Sequence, residues 1–519
     1  MIKNPVLTGF HPDPSMICVD GTFYVANSTF EYFPGVAISE SKDLANWKSV
    51  PSPLDNLNFL NMKGNPKSGG IWAPCLTYHD GLFYLVFTDV KTWTFSPFKD
   101  THNYITTAPS IRGPWSEPVY INSSGFDPSL FHDEDGRKYF VNMEWDYRKQ
   151  DKEQFSGILL TELDAVTLKP ISQPVKIFKG SERGMVEGPH LYKINEYYYL
   201  TTAEGGTSYE HALTVARSKN INGPYELHPD AHLVSSMGDP DAYLKKAGHG
   251  SICQGPDGRW WTAFLCGRPL DESMRCPLGR ETSIAEVIWK NDWPYLKDGS
   301  MVPSPEFEGY GEKNIQKLYD YKFENEEFKA DFMSLRVPAQ YDLLENGSLR
   351  LYGRESLSST HNQNMLVRRQ TDFCFEAETC VRLSFDHFQR MAGLIYRYDE
   401  ENKFYLRVAY DEKKGQKCLG ILCMDKGNFS MPLGEDEIPV GDGDLYLRLT
   451  VKNRQGEFSY AKEDMKWNVI PYTIDTSILS DENANPMGFT GAFVGMSCQD
   501  LADASAYADF SYFKYQLLD

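Results

Sequence analysis

Three carboxylates stand at matching places in a recurring stretch of this 519-residue chain: Asp13 in HPDPS, Asp127 in FDPSLF and Glu187 in VEGPH, each just ahead of a proline. Taken singly, an Asp-Pro step is an ordinary turn element, and Glu187 could be a solvated loop group. Taken together, three like charges delivered to one locus would repel one another and lose hydration unless a function required them there. Two carboxyl groups across a small polar cavity suit hydrolysis of a glycosidic bond: one acid protonates the leaving oxygen, and one base activates water or attacks the sugar. A third carboxylate beside the acid keeps its proton on, because ionising it would place two negative charges close together.

The elements that must position these groups come from a repeat. The stretches HPDPSMICVDGTFYVANS, WAPCLTYHDGLFYLVFT, FDPSLFHDEDGRKYFVN, EGPHLYKINEYYYLTT and GHGSICQGPDGRWWTAF each read as a strand, a tight turn and an aromatic-rich second strand. Aligned on Pro14, Pro74, Pro128, Pro189 and Gly250, they are spaced by 60, 54, 61 and 61 residues. SKDLANW (41–47), APSIRGPW (108–115) and SKNINGPY (218–225) follow at similar offsets and read as outer strands leaving a turn and ending on an aromatic. This is the pattern of a five-bladed β-propeller. The inner strand of each blade starts near the axis, so the equivalent positions form one ring: Asp13, Ala73 preceded by Trp72, Asp127, Gly188 preceded by Glu187, and His249.

The array fills residues 1–300. The stretch 291–320, rich in Pro, Gly and charge, reads as a linker or lid-like crossing, with the linker proper at 301–320. From 321 to 519 strands of irregular length return without the period, which predicts a separate β-sandwich. A hydrophobic fraction of 41% with 14% aromatic residues is ample for two cores. The fold class is therefore all-β, a propeller followed by a sandwich.

A formal net charge of −20 disfavours nucleic acid or an anionic membrane as partner, since either would require a basic face. No 18-residue apolar run offers a membrane span, and the first residues lack the charged-then-apolar pattern of a leader. Nine of the ten cysteines lie in strand-like runs without paired or metal-type spacing, and Cys276 lies in a loop-like stretch. That predicts reduced thiols and a cytoplasmic location.

The motifs GFHPDPS, NSTFEYFPGVAISESKDLANW, GGIWAP, GFDPSLF, MVEGPHLYK, AEGGTSYEHALTVARS and TGAFVGMSCQD are colinear with, and the chain resembles, the β-xylosidases of glycoside hydrolase family 43 over nearly its whole length. The resemblance implies an inverting site on a five-bladed propeller, with Asp13 as general base, Asp127 as the carboxylate that orients and tunes the acid, and Glu187 as general acid. Base and acid of an inverting pair stand roughly 6.5–9.5 Å apart. It further implies that Phe30 and Trp72 wall the sugar pocket, that Arg280 in LGRETS hydrogen-bonds the terminal sugar, and that Phe493 in TGAFVGM is the aromatic by which the sandwich closes one side. Core packing for the three aromatics, and an ion pair for Arg280, remain the plain alternatives.

His249 reads as a satisfied core residue, or, as the resemblance implies, as the group that holds a calcium ion through waters in the channel. Chemistry requires no cofactor. The expected substrate is a small xylo-oligosaccharide cleaved from its non-reducing end, and the resemblance implies a homo-oligomer, dimer or tetramer. An α-L-arabinofuranosidase, alone or as a second activity, is the alternative enzyme, because the two sugars present similar hydroxyls. A non-catalytic sugar-binding propeller predicts loss of a carboxylate that is here present. A retaining fructosidase-type propeller would have asparagines around its nucleophile, which HPDPS lacks.

Overall fold

The computed structural model describes residues 1–518, an all-β chain in which the helical segments among those residues are four short 3-10 turns. Five four-stranded sheets follow in sequence; four are built of consecutive strands, and in the first the short strand Tyr32–Phe33 falls between the second and third strands and joins another sheet. Their inner strands are Ser15–Val19, Gly70–His79, Ser129–His132, Glu187–Ile194 and Lys245–Gln254. Each inner strand packs against the next, and the fifth packs against the first, which closes the wheel. In blades one and two the first hairpin pairs Val19 with Thr22 and His79 with Leu82. Two-residue loops of this kind need left-handed backbone at both positions. Asp20-Gly21 (φ 48° and 74°) and Asp80-Gly81 (49° and 79°) supply it.

The ring read from the repeat has a shared backbone signature. Asp13, Ala73, Asp127, Gly188 and His249 have φ of 52°, 31°, 53°, 56° and 32°. Four of the five carry a Cβ in a region such residues seldom enter, and strain of this kind persists only where the surroundings hold it. Gly188 admits no substitute: a Cβ there would stand 2.7 Å from His249 Nε2.

Two local readings change. SKDLANW, APSIRGPW and SKNINGPY are the turns between the third and fourth strands of their blades rather than strands, since the strands on either side are Ala37–Ser41 and Lys48–Val50, Asp100–Ala108 and Val119–Asn122, and Ala212–Ser218 and Glu226–Ser235. The stretch 291–320 is not a free crossing. Trp293–Leu296 is the outer strand of blade five, and Glu306–Phe307 pairs with Ile2–Lys3. Tyr310 beyond it stacks on Phe23 of blade one.

The sandwich is two antiparallel sheets over a core that includes Phe375, Leu394, Leu447, Phe510 and Phe513. One sheet does not end at the domain border: Ser334 and Leu335 pair with Phe33 and Tyr32, a short strand of the propeller. Phe10, Tyr32, Tyr405 and Phe493 share one apolar cluster across that border, so the two units are welded, and the sandwich is held over one face of the wheel. All ten cysteines are unpaired and most are buried. No helix among the described residues is long and apolar enough to cross a membrane.

Candidate active site

The repeat brings Asp13, Asp127 and Glu187 to one cavity of about 420 Å³. All three are buried, at 5%, 6% and 8% exposure, so their charges are decided by neighbours rather than by water. Asp13 has the donors. Its Oδ1 accepts from Arg280 Nη1 at 2.7 Å and its Oδ2 from Ser28 Oγ at 2.6 Å, with His249 Nδ1 3.6 Å from Oδ1. Burial works to raise its pKa, but Arg280, His249 and Ser28 outweigh burial and hold the carboxyl below the usual aspartate range. Asp13 is therefore ionised at neutral pH.

Glu187 is the opposite case. Burial first, then the charges of Asp127 and Asp13, push it well above the usual glutamate range against the pull of Arg280 and Lys99. Asp127 is raised as well, by burial and by Asp13, while the Gly188 N–H, 3.0 Å from Oδ2, and Arg280 oppose the shift. That backbone donor does not cancel the shift, which leaves Asp127 at about 8, but it makes Asp127 rather than Glu187 the member of the pair that ionises first. The proton stays on Glu187. The site thus holds an ionised carboxylate, a protonated one and a third that keeps them so.

Phe30, Trp72, Arg280 and His249 all line the cavity. Phe30 and Trp72 face each other with ring centroids 5.9 Å apart. Arg280 lies over Phe30 at 5.2 Å and is paired with Asp13, so the sugar-contacting role and the ion pair are compatible. Burial lowers the His249 pKa against the opposing pull of Asp13. Among the described residues no group of three or more His, Cys, Asp or Glu is placed to hold a metal. The donor set does not fit a directly coordinated ion.

Phe493 is not a pocket residue. It is fully buried and stacked on Tyr32 with centroids 3.9 Å apart, behind Phe10. Its place as first residue of the strand Phe493–Asp500, paired with Arg397 and Arg369, turns the ring into the interdomain core. The sandwich instead contributes Phe489, four residues earlier and outside the strand, which lines the cavity beside Trp72 and Phe30 at 5.9 and 6.2 Å.

Other wall residues escaped the sequence reading. Lys99, Trp93, Trp145 and Phe155 line the cavity on the side of blades two and three. Lys99 Nζ stands 4.3 Å from the Trp145 ring, and burial lowers its pKa to about 8 against the pull of Glu187. The aromatic-rich run KTWTFSPFK was the available signal. His211 is neutral, its pKa lowered to about 3 by burial and by His249. Its Nδ1 lies 2.5 Å from the Gly206 carbonyl, which makes that nitrogen the donor and Nε2 an acceptor. His211 Nε2 and Arg280 Nε, an acceptor and a donor, are both buried without partners in residues that line the cavity. Such atoms call for a hydroxyl.

Comparison with known proteins agrees along the whole chain. The family described as "Glycosyl hydrolases family 43" matches residues 2–294, and "Beta xylosidase C-terminal Concanavalin A-like domain" matches 320–516. A β-xylosidase of Bacillus subtilis (strain 168) is 45% identical over 99% of both chains. Xylosidase/arabinosidase 43B of Humicola insolens is 47% identical over 99% of this chain and 97% of the other. The crystal structure of a xylan β-1,4-xylosidase from Bacillus halodurans C-125 superposes with a TM-score of 0.96 at 46% identity, covering 99% of this chain and all of that one.

Proposed function

The chain belongs to glycosyl hydrolase family 43, and from that premise we propose that it is an exo-acting β-1,4-xylosidase that releases xylose from the non-reducing ends of xylo-oligosaccharides by single displacement with inversion. One observation carries the reading: two carboxyl groups, one held ionised and one held protonated, share a cavity walled by aromatic rings. Asp13 takes the proton of a water on one face of the anomeric carbon, oriented by the Arg280 and Ser28 donors. Glu187 gives its proton to the departing oxygen on the other face, as charge develops on the ring. Asp127 keeps Glu187 protonated between turnovers. Phe30, Trp72 and Phe489 stand together in the cavity wall, and this reading assigns the terminal sugar ring to them and the remainder of the chain to the side of Lys99 and Trp145.

An α-L-arabinofuranosidase activity beside the first is favoured by the relative whose name carries both sugars. The ten unpaired thiols support a reducing compartment, hence the cytoplasm. The dimer or tetramer belongs to the same reading, and light scattering tests it. For the reaction itself, xylobiose and the nitrophenyl glycosides of β-xylose and α-arabinofuranose are incubated with the protein, and the first anomer is followed by NMR. Initial α-xylose is expected. Initial β-xylose overturns the inversion, and no release from any substrate overturns the enzyme.

A further inference from the structure

Three aromatic walls of the cavity come from distant parts of the chain, yet one dipeptide ties all of them. The carbonyl of Lys67 accepts from Trp93 Nε1 at 3.1 Å, and that of Ser68 accepts from Trp72 Nε1 at 2.9 Å. Ser68 Oγ accepts from the backbone N–H of Phe489 at 3.0 Å. The other side of Phe489 is held as well: its carbonyl accepts from Arg280 Nη2 at 2.9 Å, in the guanidinium that also grips Asp13.

The dipeptide is itself anchored on both sides of the domain border. Ser68 N–H donates to Oε2 of the fully buried Glu31 at 3.0 Å. Lys67 Nζ reaches the Asn485 carbonyl at 3.0 Å and Glu401 at 2.6 Å, both in the sandwich. Ser68 is 1% exposed and has φ of 53°. A serine in that region is strained, and such strain collects where surrounding structure fixes a functional geometry.

We propose that Ser68 is a positioning residue whose hydroxyl fixes the sandwich's Phe489 against the propeller's Trp72, and so sets the width of the cavity end that holds the terminal sugar ring. This rests on the reading of that end as a xylose site. Ser68 transfers no proton. Without its hydroxyl the Phe489 N–H is left without its acceptor, and the ring keeps one of its two backbone ties to the propeller. Binding of the sugar then weakens in the ground state and the transition state alike, which raises KM and leaves kcat.

Two variants separate the hydroxyl from the backbone strain. Both S68A and S68G lack Oγ and keep the carbonyl that binds Trp72, but glycine adopts φ of 53° freely and alanine does not. The KM for xylobiose and the inhibition constant of free xylose are expected to rise about tenfold in both, equivalent to about 1.4 kcal/mol, with kcat within about threefold. Wild-type constants in S68G, or in both variants, overturn the inference. If the unmodified protein releases xylose and the variants match it, this inference alone falls; if the unmodified protein releases none, it falls together with the xylosidase reading.

Discussion

The hub of the wheel and the edge of the sandwich meet in one cavity and bring opposite kinds of group. The hub supplies charge: three buried carboxylates whose states are set by one another and by the arginine among them. The edge supplies one ring, Phe489, hung by its backbone from Ser68 and Arg280. Charge chemistry needs groups fixed relative to each other, and a closed ring of strands gives that. Closure of a pocket needs only bulk in the right place, and a coil segment beside a welded interface can give it. Within the hub the same logic repeats. Asp13 and Glu187 are nearly equally buried, yet their pKa values move apart because one faces donors and the other faces carboxylates.

The largest test asks whether the hub alone does chemistry. D13A and E187A are each expected to lower kcat/KM on xylobiose by about 10³-fold or more. A nitrophenolate leaves with little need of a proton, so E187A loses far less on the nitrophenyl xyloside than on xylobiose, whereas D13A loses as much on both. Equal losses on the two substrates in both variants would remove the division of acid from base.

A second test sharpens the contrast inside the hub. Activity needs Asp13 ionised and Glu187 protonated. The acid limb of the pH profile therefore follows a depressed pKa and lies below the usual aspartate range. The alkaline limb follows a raised one, and activity is lost as pH climbs through it. D127N removes a negative charge that holds the proton on Glu187, so the alkaline limb is expected to move to lower pH, with kcat/KM down about 10²-fold. An alkaline limb that stays where it was would mean that Asp127 does not tune the acid.

How much of this was legible follows the same divide. The carboxylates could be read because a repeat places equivalent residues at equivalent points, and the Asp-Gly turns of blades one and two are local chemistry. The tail of each blade could not be read as well. Turns such as IRGPW and INGPY carry apolar and aromatic residues like strands, and the local mark of the turn is their Gly-Pro step, with Gly113 and Gly223 at φ of 89° and 84°. The stretch 301–320 has the composition of a linker, but the pairing of Ile2–Lys3 with Glu306–Phe307 spans about three hundred residues and leaves no local mark. Arg280 was found through family likeness, and its bond to Asp13 adds a reason the sequence did not contain. Lys67 and Ser68 were invisible for a simpler reason: their carbonyls do much of the work, and every residue has one.

The exchange of Phe493 for Phe489 gives the smallest test and the one most specific to the sandwich edge. Both lie in the run MGFTGAFVG, and nothing in composition separates them; the start of the strand at Phe493 does, by turning that ring inward. F489A removes a half-buried wall, so KM for xylobiose is expected to rise about tenfold with kcat within about threefold and the melting temperature nearly unchanged. F493A empties a place in the interdomain core between Tyr32 and Phe10. It is expected to cost about 3–5 kcal/mol of stability, seen in calorimetry, with a smaller change in KM. An F489A variant that lost turnover on the scale of E187A would break the comparison, because the edge would then be supplying chemistry and not closure.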